Sequence, residues 1–465
     1  MNALQEVDVE EMEVSIVTGK KISVIGAARS GVAAARLLQK HGGIVFVSDT
    51  GSESALSSSV SELKALSINY ELGKHSDRVL DADILVLSPG VPSNVPVVVE
   101  AKRRKMRVVS ELEMASWFCH APILAVTGTN GKTTTTTLIG RMFSDMKRKH
   151  RVGGNIGTAF SSFVDELERD SVAVLEVSSF QLDEIDQFHP EASVLLNITP
   201  DHLDRYDHDI EKYIASKCRV FENQTMEDVL IYNADDELTR RVINRLGTTR
   251  VGLLGFGREQ KFEEGAFVDD GILVTVLAGK RTEVVPVEEI SIRGLHNLYN
   301  SMASTLAAEW FGIRSSSLRA TLRNFKGVEH RLEFVREVNG IRFVNDSKAT
   351  NVDSVWYALQ SFKEPLVVLI GGRDKGNDYS RLLPLVARHV KAIVAIGESA
   401  DKVYEAFHAG TPVVKAGSME EAVTRAYGLA VAGDVVLLSP ACASFDWFTN
   451  YEHRGRVFKE IVKSL

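Results

Sequence analysis

One lysine and two hydroxyls stand where a helix should begin. They lie in Thr127-Gly128-Thr129-Asn130-Gly131-Lys132-Thr133-Thr134, directly after the apolar run Ile123 to Val126. A strand, a glycine turn and a helix start in that order aim backbone N–H groups and the positive helix end at a phosphate. Lys132 has the reach for terminal phosphates, and Thr133 or Thr134 offers a hydroxyl to Mg²⁺. The run therefore predicts ATP binding through Gly128, Thr129, Asn130, Gly131, Lys132, Thr133 and Thr134. Its spacing is unusual: the early glycine of the common phosphate loop would fall at Val126, so Gly128 has to make the turn. A plain glycine turn is the competing reading, and the lysine with its hydroxyls disfavours it.

Other charged residues recur at the ends of apolar runs. Glu176 closes the run from Val172, a place for a second oxygen ligand to Mg²⁺, although a glutamate there can also cap a helix. Thr199-Pro200-Asp201-His202-Leu203-Asp204-Arg205-Tyr206 follows the run Val194 to Ile198 and is dense in ionisable groups. His202 there is either a metal ligand through a neutral imidazole or a surface loop histidine. Tyr213, Lys217 and Val220 share one helical face, which makes Lys217 either a buried amine of lowered pKa or a side chain reaching back to water. Two later loops, Asn345-Asp346-Ser347-Lys348-Ala349-Thr350-Asn351 and Ser439-Pro440-Ala441-Cys442-Ala443-Ser444-Phe445-Asp446, also follow apolar runs. Lys348 and the hydroxyls of Ser347, Thr350 and Ser444 suit a small carboxylate. Near the start, Gly26-Ala27-Ala28-Arg29-Ser30-Gly31 with Asp49 is similar to a dinucleotide fingerprint whose middle glycine is Ala28. A Cβ at that point hinders close approach of a pyrophosphate, which speaks against a nicotinamide-dependent dehydrogenase.

The elements that must position these groups read as three α/β units in succession. A strand at Lys21 to Ile25, a helix around Val32 to Lys40 and a strand at Ile44 to Val47 form a βαβ unit, extended by strands at 83–87 and 107–109. Strands at 123–126, 172–177, 194–198 and 229–233 alternate with helices and imply a larger parallel sheet that carries the glycine turn. The stretch 250–287 reads as a β-rich insertion, followed by an amphipathic helix from Asn297 to Trp310. Strands at 341–345, 366–370, 392–396 and 434–438 build the third unit. The expected domains are 1–119, with an acidic extension over 1–19, then 120–328 and 329–465.

Composition narrows the class. A chain of 465 residues, 44% apolar and 25% charged, has the make-up of a globular protein of about three domains. The first nineteen residues carry Glu6, Asp8, Glu10, Glu11 and Glu13 without a lysine or arginine, unlike a secretory signal. No apolar run approaches the roughly eighteen residues of a membrane span. Cys119, Cys218 and Cys442 are scattered without CxxC spacing, which predicts reduced thiols and a cytoplasmic location. A net charge of −8 without a basic run argues against nucleic acid as a partner.

Taken in order, these segments resemble the Mur ligase family of ATP-dependent amide ligases, from about Lys21 to the C-terminus. The phosphate loop, Gly153-Gly154-Asn155-Ile156-Gly157, Glu176 with Ser178-Ser179-Phe180-Gln181-Leu182, the Asp201 to Tyr206 run, Asn233-Ala234-Asp235-Asp236, His296-Asn297 with Asn300, and His330-Arg331 carry the resemblance. The loops around Lys348 and Ser444, with Asn450-Tyr451-Glu452, are similar to those of the branch that attaches D-glutamate to UDP-N-acetylmuramoyl-L-alanine. The resemblance implies a Rossmann-like first domain, a central ATPase domain, and a C-terminal Rossmann-like domain. It further implies a monomer acting on small molecules, with no membrane partner. By carry-over, Thr133 and Glu176 hold one Mg²⁺, and His202 with a carbamylated Lys217 holds a second. Lys132, His202, Lys217 and Asn155 become catalytic. Asn297, Asn300, Arg331 and Asp346 join the nucleotide loop on ATP. Ser30, Asp49, Thr50, Ser88, Gly90 and Asn155 take the UDP-sugar, and Lys348, Thr350, Ser444, Phe445 and Tyr451 take the amino acid, with the three domains closing on their ligands. Arg29 departs from the family, which usually has an apolar residue there. Another Mur-type ligase or a folylpolyglutamate synthase, with a different amino acid, is the alternative.

Overall fold

The computed structural model describes residues 16–201, 203–246, 251–374 and 376–465, with the side chain of Asp204 left out. The acidic extension up to residue 15, and His202, lie outside the described residues. Three sheets carry the fold, in two compact units. One unit is Met1–Val284 with Met302–Thr321, and the other is Val285–Ser301 with Leu322–Leu465. Among the described residues no helix is long and apolar enough to cross a membrane.

In the first unit, β1 (Lys21–Ile25), β2 (Ile44–Asp49), β3 (Asn69–Leu72), β4 (Ile84–Leu87) and β5 (Arg107–Ser110) form a five-stranded parallel sheet in the order β3-β2-β1-β4-β5. The order reverses between β1 and β4, so the crevice at their carboxyl ends is where such a sheet takes a ligand. Val24, Val47, Leu85 and Val86 are wholly buried in this sheet, whose apolar runs hold both faces away from water.

The second sheet contains β6 (Ile123–Thr127), β7 (His150–Gly154), β8 (Val172–Glu176), β9 (Ala192–Leu195), β10 (Val229–Asn233), β11 (Gly252–Phe256), β12 (Gly265–Asp269), β13 (Ile272–Leu277) and β14 (Lys280–Pro286). Their order is β14-β13-β12-β11-β10-β9-β6-β8-β7, which sets β6, the strand of the glycine turn, between β9 and β8. The stretch expected as an insertion continues this sheet instead: β11 pairs parallel with β10, and β12 and β13 close a hairpin on it. Asp269 pairs with Ile272 there, leaving the two-residue turn Asp270-Gly271 with both φ angles positive, the conformation that matches the twist of a hairpin.

Glu113 fastens the first sheet to the second. This wholly buried carboxylate accepts the N–H groups of Asp186, Gln187 and Phe188 and the indole N–H of Trp117 at 2.8–3.1 Å. A buried charge met by that many donors is stabilised where an unpaired one would not be. The Ser110 N–H, next to it, donates to Glu184 O at 2.8 Å.

The second unit holds a six-stranded mixed sheet of β15 (Glu333–Val338), β16 (Ile341–Asn345), β17 (Leu366–Gly371), β18 (Val390–Ile396), β19 (Val413–Lys415) and β20 (Val435–Leu438). The order is β15-β16-β20-β17-β18-β19, with only β15 antiparallel to its neighbour. The loops after β16 and β20 thus emerge side by side.

Candidate active site

The turn after β6 is shaped by what surrounds it. Gly128 has φ +147°, and a Cβ there would sit 2.9 Å from the Cβ of Leu196 and 3.3 Å from the backbone of Asn197, so only glycine fits. Gly131, at φ +89°, opens the helix Lys132–Asp145. The expected strand 194–198 ends at Leu195, because Asn197 bonds to this turn and not to a neighbouring strand. Its carbonyl accepts the Thr129 N–H at 2.9 Å, its Oδ1 accepts the Asn130 N–H at 2.9 Å, and its Nδ2 donates to Asn130 O at 3.0 Å. Thr129 Oγ1 accepts the Thr199 N–H at 3.0 Å and lies 3.1 Å from the hydroxyl of Tyr213. Nothing in the motif pattern marked Asn197, yet it is the one polar residue in the run Val194 to Ile198, and that was the available signal.

Two lysines meet over the turn. Lys132 Nζ donates to Gly128 O and Thr129 O, each at 2.9 Å, and Lys217 Nζ donates to the same Gly128 O at 2.9 Å. Lys217 is 1% exposed, with its nitrogen 4.6 Å from the centre of the Tyr213 ring, so the reading of a lysine reaching to solvent is set aside. Burial first, and next the charge of Lys132, push the Lys217 amine well below its ordinary pKa.

A carboxylate holds the first turn of the helix Lys132–Asp145. Glu176, at the end of β8 and 2% exposed, accepts the Thr133 hydroxyl at 2.6 Å and the Asn155 side-chain amide at 3.0 Å. Asn155 is held in turn by its own N–H, which donates to Glu176 O at 2.8 Å. A hydroxyl and a carboxylate oxygen at contact distance, beside a phosphate-type loop, are hard oxygen donors of the kind Mg²⁺ selects. Thr134, next along the helix, is buried.

At the crevice of the first sheet, Asp49 accepts the N–H groups of Ala27 and Gly51, one on each oxygen and both at 2.6 Å. Asp49 therefore ties the turn before the helix Arg29–Lys40, which carries Ser30, to the turn after β2, which carries Thr50. Ser88 is buried, with its hydroxyl donating to Gly26 O at 3.2 Å, and Gly90 is exposed beyond it.

In the second unit, Asp346 accepts the Ser439 hydroxyl at 2.9 Å and the Leu332 N–H at 3.2 Å. Burial pushes its carboxyl up to about 6, against the opposing pull of Arg331. Lys348 Nζ lies 5.4 Å from the centre of the Tyr451 ring, Ser444 is buried, and Thr350 is half-buried. Phe445 is 61% exposed, away from the packed part of its loop. Asn300 Nδ2 donates to Asn297 Oδ1 at 3.2 Å, and both residues are buried. Arg454, 1% exposed, fastens the two loops together. It donates to Ser347 Oγ and O at 3.0 and 2.8 Å and to Cys442 O at 3.1 Å. An arginine on the apolar face shared with Phe458 and Val462 carried the same signal as Lys217 and was missed.

The fold and these contacts define a nucleotide-binding α/β protein whose phosphate loop, carboxylate and buried amine converge at the carboxyl edge of one parallel sheet. Three family models match in succession: the Mur ligase MurD-like N-terminal domain over residues 20–110, the Mur ligase middle domain over 126–308, and the Mur ligase glutamate ligase domain over 330–442. Two relatives, each called UDP-N-acetylmuramoylalanine--D-glutamate ligase, are similar over nearly their whole length. The one from Salinibacter ruber is 48% identical and covers 96% of this chain and 98% of its own, and the one from Chloroherpeton thalassium is 45% identical and covers 97% and 99%. Among solved structures, UDP-N-acetylmuramate-alanine ligase MurC from Thermotoga maritima shares the fold with a TM-score of 0.61, at 20% identity and 96% and 99% coverage. The chain belongs to the Mur ligase family.

Proposed function

We propose that this chain is an ATP-dependent ligase that joins D-glutamate to UDP-N-acetylmuramoyl-L-alanine in the cytoplasm, a step of peptidoglycan precursor synthesis. The observation that supports it most is the meeting of Lys132, Thr133, Glu176, Asn155 and Lys217 around one glycine turn, in a chain similar along its length to D-glutamate ligases.

A carboxylate is a poor electrophile, so it has to be activated before an amine can displace anything from it. An oxygen of the acceptor's carboxylate forms a bond to the γ-phosphorus of ATP while the bond from that phosphorus to the ADP oxygen breaks. The D-glutamate nitrogen then adds to the acyl carbon, loses its proton, and expels phosphate as the amide forms. Lys132 and the N–H groups at the start of the helix Lys132–Asp145 neutralise and orient the phosphates, the principal contribution to phosphoryl transfer. Asn155, fixed by Glu176, orients the acyl phosphate oxygens. Thr133 and Glu176 suit one Mg²⁺, and His202 with a carbamylated Lys217 a second; bound there, the ions supply charge neutralisation. The depressed pKa of Lys217 keeps a neutral amine available to add to CO₂ with loss of a proton, which is the chemistry a carbamate requires. Asn297, Asn300, Arg331 and Asp346 serve the nucleotide, and Ser30, Asp49, Thr50, Ser88 and Gly90 serve the UDP-sugar. Lys348, Thr350, Ser444, Phe445 and Tyr451 serve D-glutamate.

The test is phosphate release from ATP with UDP-N-acetylmuramoyl-L-alanine and a panel of amino acids. Release that depends on both the acceptor and D-glutamate supports the reading. Equal or greater release with another amino acid, or with a folate acceptor, overturns it.

A further inference from the structure

Arg205 lies in the turn Leu203–Tyr206 that follows β9, and it touches two loops that serve different ligands. One nitrogen of its guanidinium donates to Val91 O at 3.3 Å, and its central carbon stands 3.7 Å over the Phe180 ring. Val91 lies in the loop after β4 of the first sheet. Its N–H donates to Ser88 O at 3.0 Å, and a Cβ on Gly26 would come within 2.9 Å of Ser88 and 3.2 Å of Val91. The turn that Arg205 holds is thus packed directly on the glycine turn where the first nucleotide crevice begins. Phe180 belongs to the second sheet, in the helix Ser179–Leu182 that starts just beyond Glu176. The neighbouring Tyr206 ring lies nearly parallel to Phe180, 16° apart at 6.3 Å, and its hydroxyl donates to Asp183 at 3.0 Å, so the Phe180 end is itself well anchored.

We propose that Arg205 is a positioning residue for the ligation reaction: it sets the register of the UDP-sugar turn, Ser88 to Val91, against the phosphoryl-transfer site beside Glu176. This rests on the ligase reading above. The acceptor is held by its nucleotide at one end and reacts through its carboxylate at the other. A small slip between the two holding points therefore moves the attacking oxygen off the line of the γ-phosphorus. A misplacement of about 1 Å costs on the order of 100-fold in rate even when binding is intact. Only a guanidinium does both jobs at once, since its flat face rests on the ring while an edge N–H reaches the carbonyl. A lysine keeps the charge and one of the two contacts.

The experiment measures phosphate release by wild type, Arg205→Ala and Arg205→Lys, varying ATP and UDP-N-acetylmuramoyl-L-alanine separately, together with melting temperatures. Loss of positioning lowers kcat of Arg205→Ala by about tenfold or more, with both KM values within about threefold of wild type, and Arg205→Lys recovers part of the loss. The inference is overturned if Arg205→Ala keeps kcat within about twofold, if its defect appears only as a raised KM, or if Arg205→Lys is no better than Arg205→Ala. Wild-type turnover that ignores the UDP acceptor would count against the ligase reading instead, so the two failures are distinct.

Discussion

Replacing Lys132 by alanine separates catalysis from stability, because the turn does not depend on that lysine for its shape. Lys132 donates two bonds to its own loop, to Gly128 O and Thr129 O. Each is charge-assisted and worth about 1.5 kcal/mol net in a partly solvated place. Other contacts hold the turn without it, among them three to Asn197, one from the Thr199 N–H, one to the Tyr213 hydroxyl, and one from Lys217 to Gly128 O. Lys132→Ala should therefore lose about 3 kcal/mol of stability, a shift of a few degrees in melting temperature for a chain of this size. The chemical loss is larger. Removing one charged contact to the transferring phosphoryl group costs about 2.7–4 kcal/mol, or 100- to 1000-fold in kcat. Phosphate release and the melting curve, measured on the same preparation, give both numbers. Turnover within about tenfold of wild type would refute the assignment of Lys132 to the phosphates. Collapse of the fold would refute the claim that the turn stands by itself.

Three further outcomes follow from the geometry. Lys217→Ala should be inactive and, on the proposed carbamate, should regain turnover when acetate supplies a carboxylate in its place; no rescue at any acetate concentration counts against that proposal. Asp346 titrates from 3.8 in an unfolded chain to about 6 in the fold, so it favours the native state fully below 3.8, and that favour is lost as pH rises through 6. Between about pH 5 and pH 7.5 the loss is about 1.4 kcal/mol, and urea unfolding should show it in wild type and not in Asp346→Asn; parallel profiles would refute it. Gly154 has φ +95°, and a Cβ there would lie 2.4 Å from Glu176 O, so Gly154→Ala should cost about 2 kcal/mol or more and displace the carboxylate. An unchanged melting temperature with full activity would contradict that.

The chemistry-bearing loops were legible in the sequence because each followed an apolar run long enough to be a buried parallel strand. Glycine with lysine and hydroxyls after β6, Glu176 at the end of β8 and the Asp346 loop after β16 all lie where that pattern put them. Burial of Lys217 was half legible. Its place on the face of Tyr213 and Val220 announced a lysine out of water, but a single helix does not say which of its faces is covered. The continuation of the central sheet through β11 to β14 was hidden for a different reason. Strands of five to seven residues that alternate in polarity look the same whether they pair with one another or extend an existing sheet, and only the partner strand decides. Asn197 was hidden because its role is purely relational: it answers the N–H and C=O groups of a turn almost seventy residues earlier.

That relation explains why the site sits between β9 and β8 and not elsewhere on the sheet. Asn197 takes the N–H groups of Thr129 and Asn130, and the carbonyls of the same turn need donors of their own. β8 and β9 flank β6 on either side, so their exits lie within one strand spacing of the turn, and each supplies a different answer. From β9 come the amide of Asn197 and, by way of the helix Ile210–Cys218, the amine of Lys217, which satisfy the carbonyls of Asn130 and Gly128. From β8 comes Glu176, whose carboxylate fixes Thr133 and Asn155. A donor-rich side and a carboxylate side around one glycine turn are what a phosphate and a cation together require, and parallel neighbours are the arrangement that delivers both at the same edge.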